Sequence, residues 1–194
     1  MKYTKIAEDA FKELQLNAGV LVDEFDPSTG ELTLQNILGA TSGGVNFKAT
    51  PTFTDFGADV DNCPNNMKEF MKLSLWDVLL SGTFITVDVN GVARLIGAAD
   101  IDDTDLTKIV PRNDLKDTDF KEIWWIGDYS DKNGENKGGF IAIHMLNALS
   151  TGGFQVQSGK DVKGQFAFEF KGHYSLEDQT KVPFEVFVKA GEDE

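Results

Sequence analysis

The feature that most constrains the fold of this chain is a repeated alternation of apolar and polar residues with a period of two. The pattern is cleanest between residues 45 and 53, and it recurs at 166–171 and 182–189. Because successive side chains of a strand point to opposite sides, this period predicts half-buried β-strands. The apolar residues of the first segment are Val45, Phe47, Ala49, Pro51 and Phe53. Proline has no backbone N–H, so this strand is expected at an edge of its sheet.

One helix is predicted at about residues 88–98. Apolar residues there are spaced at i, i+3, i+4 and i+7, behind Asp88 as the N-cap and before Gly97. Further strands are predicted at 18–25, 67–86 (as one strand or two), 122–129, 138–149 and 164–175, with a hairpin turn at 131–134 between the third and fourth of these.

Strands grouped around one helix, without regular βαβ alternation, predict a mainly β fold: an antiparallel β-sandwich or barrel-like domain with one flanking α-helix. The length of 194 residues fits a single domain over 1–194. We expect an N-terminal arm at about 1–17, with a short helix or docked arm over 5–14. A long loop is expected at about 26–44, where four glycines occur and no period is sustained.

Charge and composition disfavour several classes of protein. The formal net charge is −14, from 18 Lys and Arg against 32 Asp and Glu, and no basic cluster of the kind that docks on nucleic acid is present. The apolar runs are too short for a membrane span, and the N-terminus does not resemble a secretory signal. Cys63 is the single cysteine, so no intramolecular disulfide is expected.

The sequence offers no constellation for catalysis or metal binding. His144 and His173 each lie in a strand pattern without Cys or carboxylates at ligand spacing. The acidic run at 100–105 lacks the turn glycine and the closing glutamate of a calcium loop. We therefore expect a protein that is not an enzyme, with no catalytic residue, no cofactor and no metal ligand.

Eight stretches, in order along nearly the whole chain, resemble the major tail proteins that form the tail tube of siphophages and of related prophages in low-GC Gram-positive bacteria. The stretches are LQLNAGVL at 14–21, ATPTFTDFG at 49–57, DNCPNNMKE at 61–69, LIGAAD at 95–100, KIVPRN at 108–113, IWWIGD at 123–128, LNALSTGGF at 146–154 and KGQF at 163–166.

This resemblance implies a β-sandwich-like tube fold with a flanking helix. It also implies hexameric rings that stack into a tube around a tape-measure protein, with tail-tip and tail-terminator proteins as further partners. DNA would pass through the tube during ejection without specific binding, and the protein would be assembled in the host cytoplasm into the tail of the virion.

A stack of rings needs two contacts between copies. One contact closes each ring, and the other repeats along the stack without closing. Sheet edges and the long loop are the expected surfaces. The loop is expected to be mobile in the monomer and to order against the adjoining ring; the alternative is a surface loop that is merely flexible. Carboxylates lining the tube would repel DNA phosphates; solubility is the alternative explanation of the negative charge. The predicted interface residues are Leu32, Leu34, Ile37, Leu38, Pro51 and Phe53.

A monomeric β-sandwich binding module is the alternative. Such a module, for example a carbohydrate-binding one, would use Trp76, Trp124 or Trp125 as a platform on which a sugar ring stacks. Tryptophans within alternating strands are more often part of the core.

Overall fold

The computed structural model describes residues 3, 5–7, 10–129 and 138–191, without the side chains of residues 11 and 12. In these ranges the chain forms ten strands, one α-helix and three short 3-10 turns. The strands are β1 Gln15–Val22, β2 Thr41–Asp55, β3 Met71–Phe84, β4 Ala99–Ile101, β5 Ile109–Pro111, β6 Lys121–Tyr129, β7 Gly139–Ser150, β8 Gln155–Gln157, β9 Gln165–Gly172 and β10 Phe184–Lys189; the helix α1 is Val89–Ile96, and the 3-10 turns are Ala10–Glu13, Leu34–Asn36 and Asp117–Asp119.

Eight of the strands form one antiparallel sheet in the order β1-β6-β7-β9-β3-β2, with β10 beside β7 and β8 beside β9. Strand β7 belongs to two layers: residues 140–145 lie between β6 and β10, whereas residues 148–150 pair with β9. The remaining strands, β4 and β5, form a separate small hairpin.

The main core lies between the two layers. Leu21, Ile123 and Met145 from the β1-β6-β7 layer cluster with Leu80 and Phe170 from the β3-β9 layer. Burial of these apolar side chains is the main force that holds the layers together. The predicted mainly β, sandwich-like fold with antiparallel sheets is therefore confirmed.

The flanking helix is confirmed as well. Leu95 of α1 is buried in the main core, and the Asp88 carboxylate accepts a hydrogen bond from the Gly91 N–H at 2.7 Å. Gly97 ends the helix with φ of +88°, a backbone conformation that glycine adopts without steric cost.

A second, smaller apolar cluster covers the other face of the β1-β6-β7 layer. Val22 and Trp124 belong to it, and each follows directly after a residue of the main core, so its side chain points to the opposite face. Phe25 and Ile37 from the loop after β1 pack on this cluster. Part of the long loop thus packs on this face of the sheet and covers it.

Two predicted boundaries are wrong, and both errors fall at bulges. Strand β1 begins at Gln15, so the predicted arm over 1–17 is too long; Asn17 and Gly19 have positive φ, and the register with β6 shifts there. Strand β2 begins at Thr41, so the predicted loop over 26–44 ends earlier; Gly43 and Gly44 have positive φ at a second register shift. Bulges interrupt the alternation on which the predictions depended.

The other predicted elements agree with the structure except in small details. The 67–86 segment forms one strand, β3, and the arm contains a 3-10 turn at Ala10–Glu13. The three-residue strands β4, β5 and β8 were not predicted. The hairpin turn predicted at 131–134 lies outside the described residues, although β6 and β7 on either side of it pair antiparallel as expected. No helix in the described ranges has the length and apolar character that crossing a membrane requires.

Candidate functional site

The most distinctive surface is the part of the β2–β3 hairpin that extends beyond the rest of the sheet. Strand β9 pairs with β3 only from Leu79 to Phe84, so within the described chain the earlier half of β3 has β2 as its one strand partner. We call residues 50–77 the ribbon and residues 56–70 within it the tip. Two-stranded hairpins are marginal in isolation, so the ribbon depends on its attachment to the body.

Two polar contacts attach the base of the ribbon to the body of the subunit. The Trp76 N–H donates a hydrogen bond to the Tyr174 hydroxyl at 2.9 Å. The Asp77 carboxylate forms an ion pair with the Lys171 ammonium group at 2.7 Å. The Trp76 ring also packs edge-on against Phe184 of β10. These contacts fix the direction in which the ribbon leaves the sheet.

The ribbon carries an unusual amount of exposed apolar surface. Phe53 is 56% exposed and Phe56 is 59% exposed, although both are large aromatic residues. Contiguous exposed apolar patches are rare on monomeric soluble proteins and mark sites of interaction. The large exposed apolar residues of the ribbon are Phe53, Phe56, Val60, Met67, Phe70, Met71, Leu73 and Leu75.

The tip is folded by its own hydrogen bonds. One carboxylate oxygen of Asp55 accepts the Gly57 N–H at 2.8 Å, and the other accepts the Asn66 N–H at 2.8 Å. The Phe56 N–H donates to the Phe70 carbonyl at 3.1 Å. The tip therefore presents its apolar residues in a fixed arrangement, which lowers the entropic cost of binding a partner.

Four strands of the main sheet lie at edges. Among the described residues, β2 pairs only with β3, β8 only with β9, β10 only with β7, and β1 with β6 apart from one bridge between Val22 and Ile37. The edge position predicted for the strand containing Pro51 is confirmed. Strand β10 also exposes Val186 and Val188. Unpaired edges of this kind accept strands from other chains.

The structure separates the predicted interface residues into three groups. Pro51 and Phe53 lie on the ribbon, where Phe53 is exposed and Pro51 is half-buried opposite Trp76. Leu32 and Leu34 are exposed in the loop after β1, Leu34 by 72%.

Ile37 and Leu38, the third group, are half-buried against the core of their own subunit. The Leu38 N–H donates to the Leu21 carbonyl at 2.9 Å, and the Ala40 N–H donates to the Thr86 hydroxyl at 2.8 Å. The C-terminal part of the loop is thus attached to its own subunit. Contact of all six predicted residues with another copy remains a prediction.

Sequence reasoning missed the apolar character of the tip. Turn formers and aspartates dominate residues 55–66, and this composition predicts an acidic surface loop. The structure confirms turns in this segment, but the exposed Phe56 and Val60 within it, together with Phe70 shortly after it, make this surface apolar. Two large apolar residues within this turn-rich segment, Phe56 and Val60, were the available signal.

The three tryptophans pack within the subunit. Trp124 is only 6% exposed and stacks on the His144 ring, with 3.8 Å between ring centroids. The indole N–H of Trp125 donates to the Ala18 carbonyl at 3.1 Å. Trp76 and Trp125 are half-buried. A sugar-binding platform needs an exposed ring face, and these contacts provide no such face at Trp124.

Both histidines make structural contacts. The His144 ring nitrogens lie 3.1 Å from a Glu122 carboxylate oxygen and 3.5 Å from a Glu185 carboxylate oxygen. His173 packs edge-on against Phe120. Within the described residues, no group of three or more His, Cys, Asp or Glu is arranged to hold a metal ion.

The acidic run at 100–105 forms ion pairs and turn hydrogen bonds inside the subunit. Asp102 accepts hydrogen bonds from the Thr104 hydroxyl at 2.6 Å and the Thr104 N–H at 2.9 Å, and it pairs with Lys108 at 3.0 Å; these contacts lower the pKa of Asp102 to about 2. Asp100 pairs with Lys116, whose hydrogen bond lowers the Asp100 pKa, and with Arg112.

No family model matches the chain, and no curated protein matches it.

Proposed function

We propose that this chain is a non-enzymatic structural subunit that assembles with copies of itself, as stacked hexameric rings, into the tube of a phage tail. The observation that carries the proposal is the ribbon, a folded extension with eight large apolar side chains exposed to water. Removing such a surface from water is favourable in proportion to its area, so it drives association. The sequence resemblance to tail tube proteins is the reason for proposing stacked hexameric rings as the form of this assembly.

The edges of the sheet support a self-assembling subunit. A ring closes through one head-to-tail contact, and a stack grows through a second contact that stays open, so each subunit needs two pairs of complementary surfaces. Within the residues that the structure describes, edge strands β1, β2, β8 and β10 have unpaired backbone groups at several positions of one small domain. A subunit with only one such surface would stop at dimers.

The acidity of the chain suits a conduit for DNA. With a net charge of −14, a tube built of these subunits carries many carboxylates, and those facing the lumen would repel phosphates over about 8 Å at physiological salt. DNA would slide past rather than bind. Tape-measure, tail-tip and tail-terminator proteins are the proposed partners, and the virion tail is the proposed location.

Electron microscopy and sedimentation of the purified protein test this function. We expect rings or tubes of uniform diameter above a critical concentration. The Phe56→Ser variant should assemble poorly, because it removes apolar surface from the ribbon. Leu106→Ser is the matched control, since Leu106 is 70% exposed but lies outside the ribbon. A wild-type protein that stays monomeric at every concentration, with or without tube seeds, would overturn the proposal.

A further inference from the structure

A second apolar surface lies around the edge strand β8. We call residues 154–164 the β8 surface; they comprise β8, the residue before it and the connection to β9. Phe154, Val156 and Val162 are all exposed there. The connection also carries Lys160 and Lys163, and within the described chain neither lysine has an ion-pair partner.

The β8 surface and the tip of the ribbon have opposite charges. Residues 158–164 contain two lysines and one aspartate, a local excess of positive charge in a chain of net charge −14. The tip contains three carboxylates, of Asp59, Asp61 and Glu69, against the single Lys68. Two tips would therefore repel each other, whereas the tip and the β8 surface attract.

The two surfaces lie at opposite ends of strand β3. The tip adjoins the Met71 end of β3, whereas Phe84 at the other end pairs with Phe166 of β9. Strand β8 pairs with residues 165–167 of β9, beside that second end. A strand of 14 residues spans about 45 Å, so the tip cannot reach the β8 surface of its own subunit.

We propose that the tip of one subunit docks on the β8 surface of a second copy. The apolar residues Phe56, Val60 and Phe70 would lie against Phe154, Val156 and Val162. Asp59 and Asp61 would approach Lys160 and Lys163. Because the two surfaces lie at opposite ends, each added copy leaves one tip and one β8 surface free, and the contact propagates without closing. The inference rests on the proposed self-assembly and assigns the surfaces of its open contact.

Charge reversal tests the docking. The Lys160→Glu/Lys163→Glu variant and the Asp59→Lys/Asp61→Lys variant should each raise the critical concentration for assembly by about tenfold, because two attractions become repulsions. The variant that combines all four changes should assemble near the wild-type concentration. Lys5→Glu/Lys121→Glu is the matched control, since both lysines are exposed and lie outside either surface. Thermal melting of each monomer verifies that the variants are folded.

The outcomes separate this inference from the proposed function. If the wild type assembles and the lysine reversal assembles like its control, the docking is overturned and self-assembly stands. If both reversals impair assembly and the combined variant does not recover, the pairing of these two surfaces is overturned. A wild type that never assembles overturns the proposed function first.

Cross-linking gives a second readout that does not depend on impaired assembly. The one cysteine of the chain, Cys63, lies in the tip, so Val162→Cys places a second thiol on the β8 surface. Mild oxidation of assembled protein should then give a ladder of covalent oligomers on a denaturing gel. Leu106→Cys is the control that should give no ladder. Equal ladders from both variants, or none from either, would contradict the docking.

Discussion

Several aspartates of this acidic chain hold turns together. The Asp55 carboxylate bonds two backbone N–H groups of the tip, Asp88 caps α1, and Asp102 bonds Thr104 in the β4–β5 turn. Asp26 and Asp178 make similar contacts with Ser28 and Thr180, whose hydroxyl hydrogen bonds lower the pKa of each carboxyl. Part of the negative charge of the chain therefore serves the fold itself, because these carboxylates hold turns in place.

Asp102 gives a prediction at the scale of one residue. Its pKa in the folded protein is about 2, below the ordinary value of 3.8, so the ionised form is favoured by folding. The resulting stabilisation is fully present above pH 3.8 and is lost as the pH falls through about 2. We expect Asp102→Asn to lose this part of the pH dependence of thermal unfolding between pH 4 and 2.

Carboxyl-carbon NMR of the wild type checks the same point directly, and a midpoint for Asp102 near the ordinary value would contradict it. The exposed neighbour Asp103 supplies a control: Asp103→Asn removes the same charge without removing the hydrogen bonds to Thr104.

At the scale of one element, the tip of the ribbon should depend on Asp55. Asp55→Ala removes the acceptor of the Gly57 and Asn66 N–H groups, and hydrogen bonds to a charged group contribute about 2 kcal/mol each. We expect amide hydrogen exchange of residues 56–70 to become faster by about tenfold or more in the monomer, while β7 and β9 keep their protection. Asp59→Ala should leave both regions unchanged, and uniform loss of protection in Asp55→Ala would contradict this local role.

Sequence periodicity predicted the elements of this fold well where strands are regular. The alternation in β2 placed Phe47 and Ala49 on the core side, where they pack, and the helical spacing after Asp88 located α1. Periodicity failed where a bulge inserts a residue. At the bulge that contains Asn17 and Gly19, a tertiary contact requires glycine at position 19, because a side chain there would collide with the Trp125 ring. Local sequence does not contain that contact.

The candidate site was predicted only in part for a related reason. Phe53 could be assigned to an edge strand from alternation and the nearby Pro51. The ribbon itself could not be predicted, because it exists where β9 stops pairing with β3 at Leu79, and that register joins segments about ninety residues apart in sequence. The placement of the tip and the β8 surface at opposite ends of β3 depends on the same register.

At the scale of the whole molecule, the interior strands and the proposed assembly surfaces occupy separate parts of the protein. Residues 140–145 of β7 pair on both sides and contain Ala142 and Met145 of the two apolar clusters. The ribbon, the β8 surface and the outer edge of β10 lie at the periphery, where the described part of the chain has unpaired backbone or exposed apolar groups. Assembly can therefore cover the periphery without rearranging the core.

Hydrogen exchange of monomer and sedimented tubes should make this division visible. We expect amides of residues 50–77, 154–164 and 184–189 to exchange more slowly in tubes, because docking and edge pairing remove them from water. Amides of residues 140–145 are already bonded to strands on both sides, so their exchange should change little. Uniform slowing along the whole chain would point to global stabilisation instead of docking at these surfaces. Slowing confined to the interior strands would contradict the assignment of the periphery to assembly.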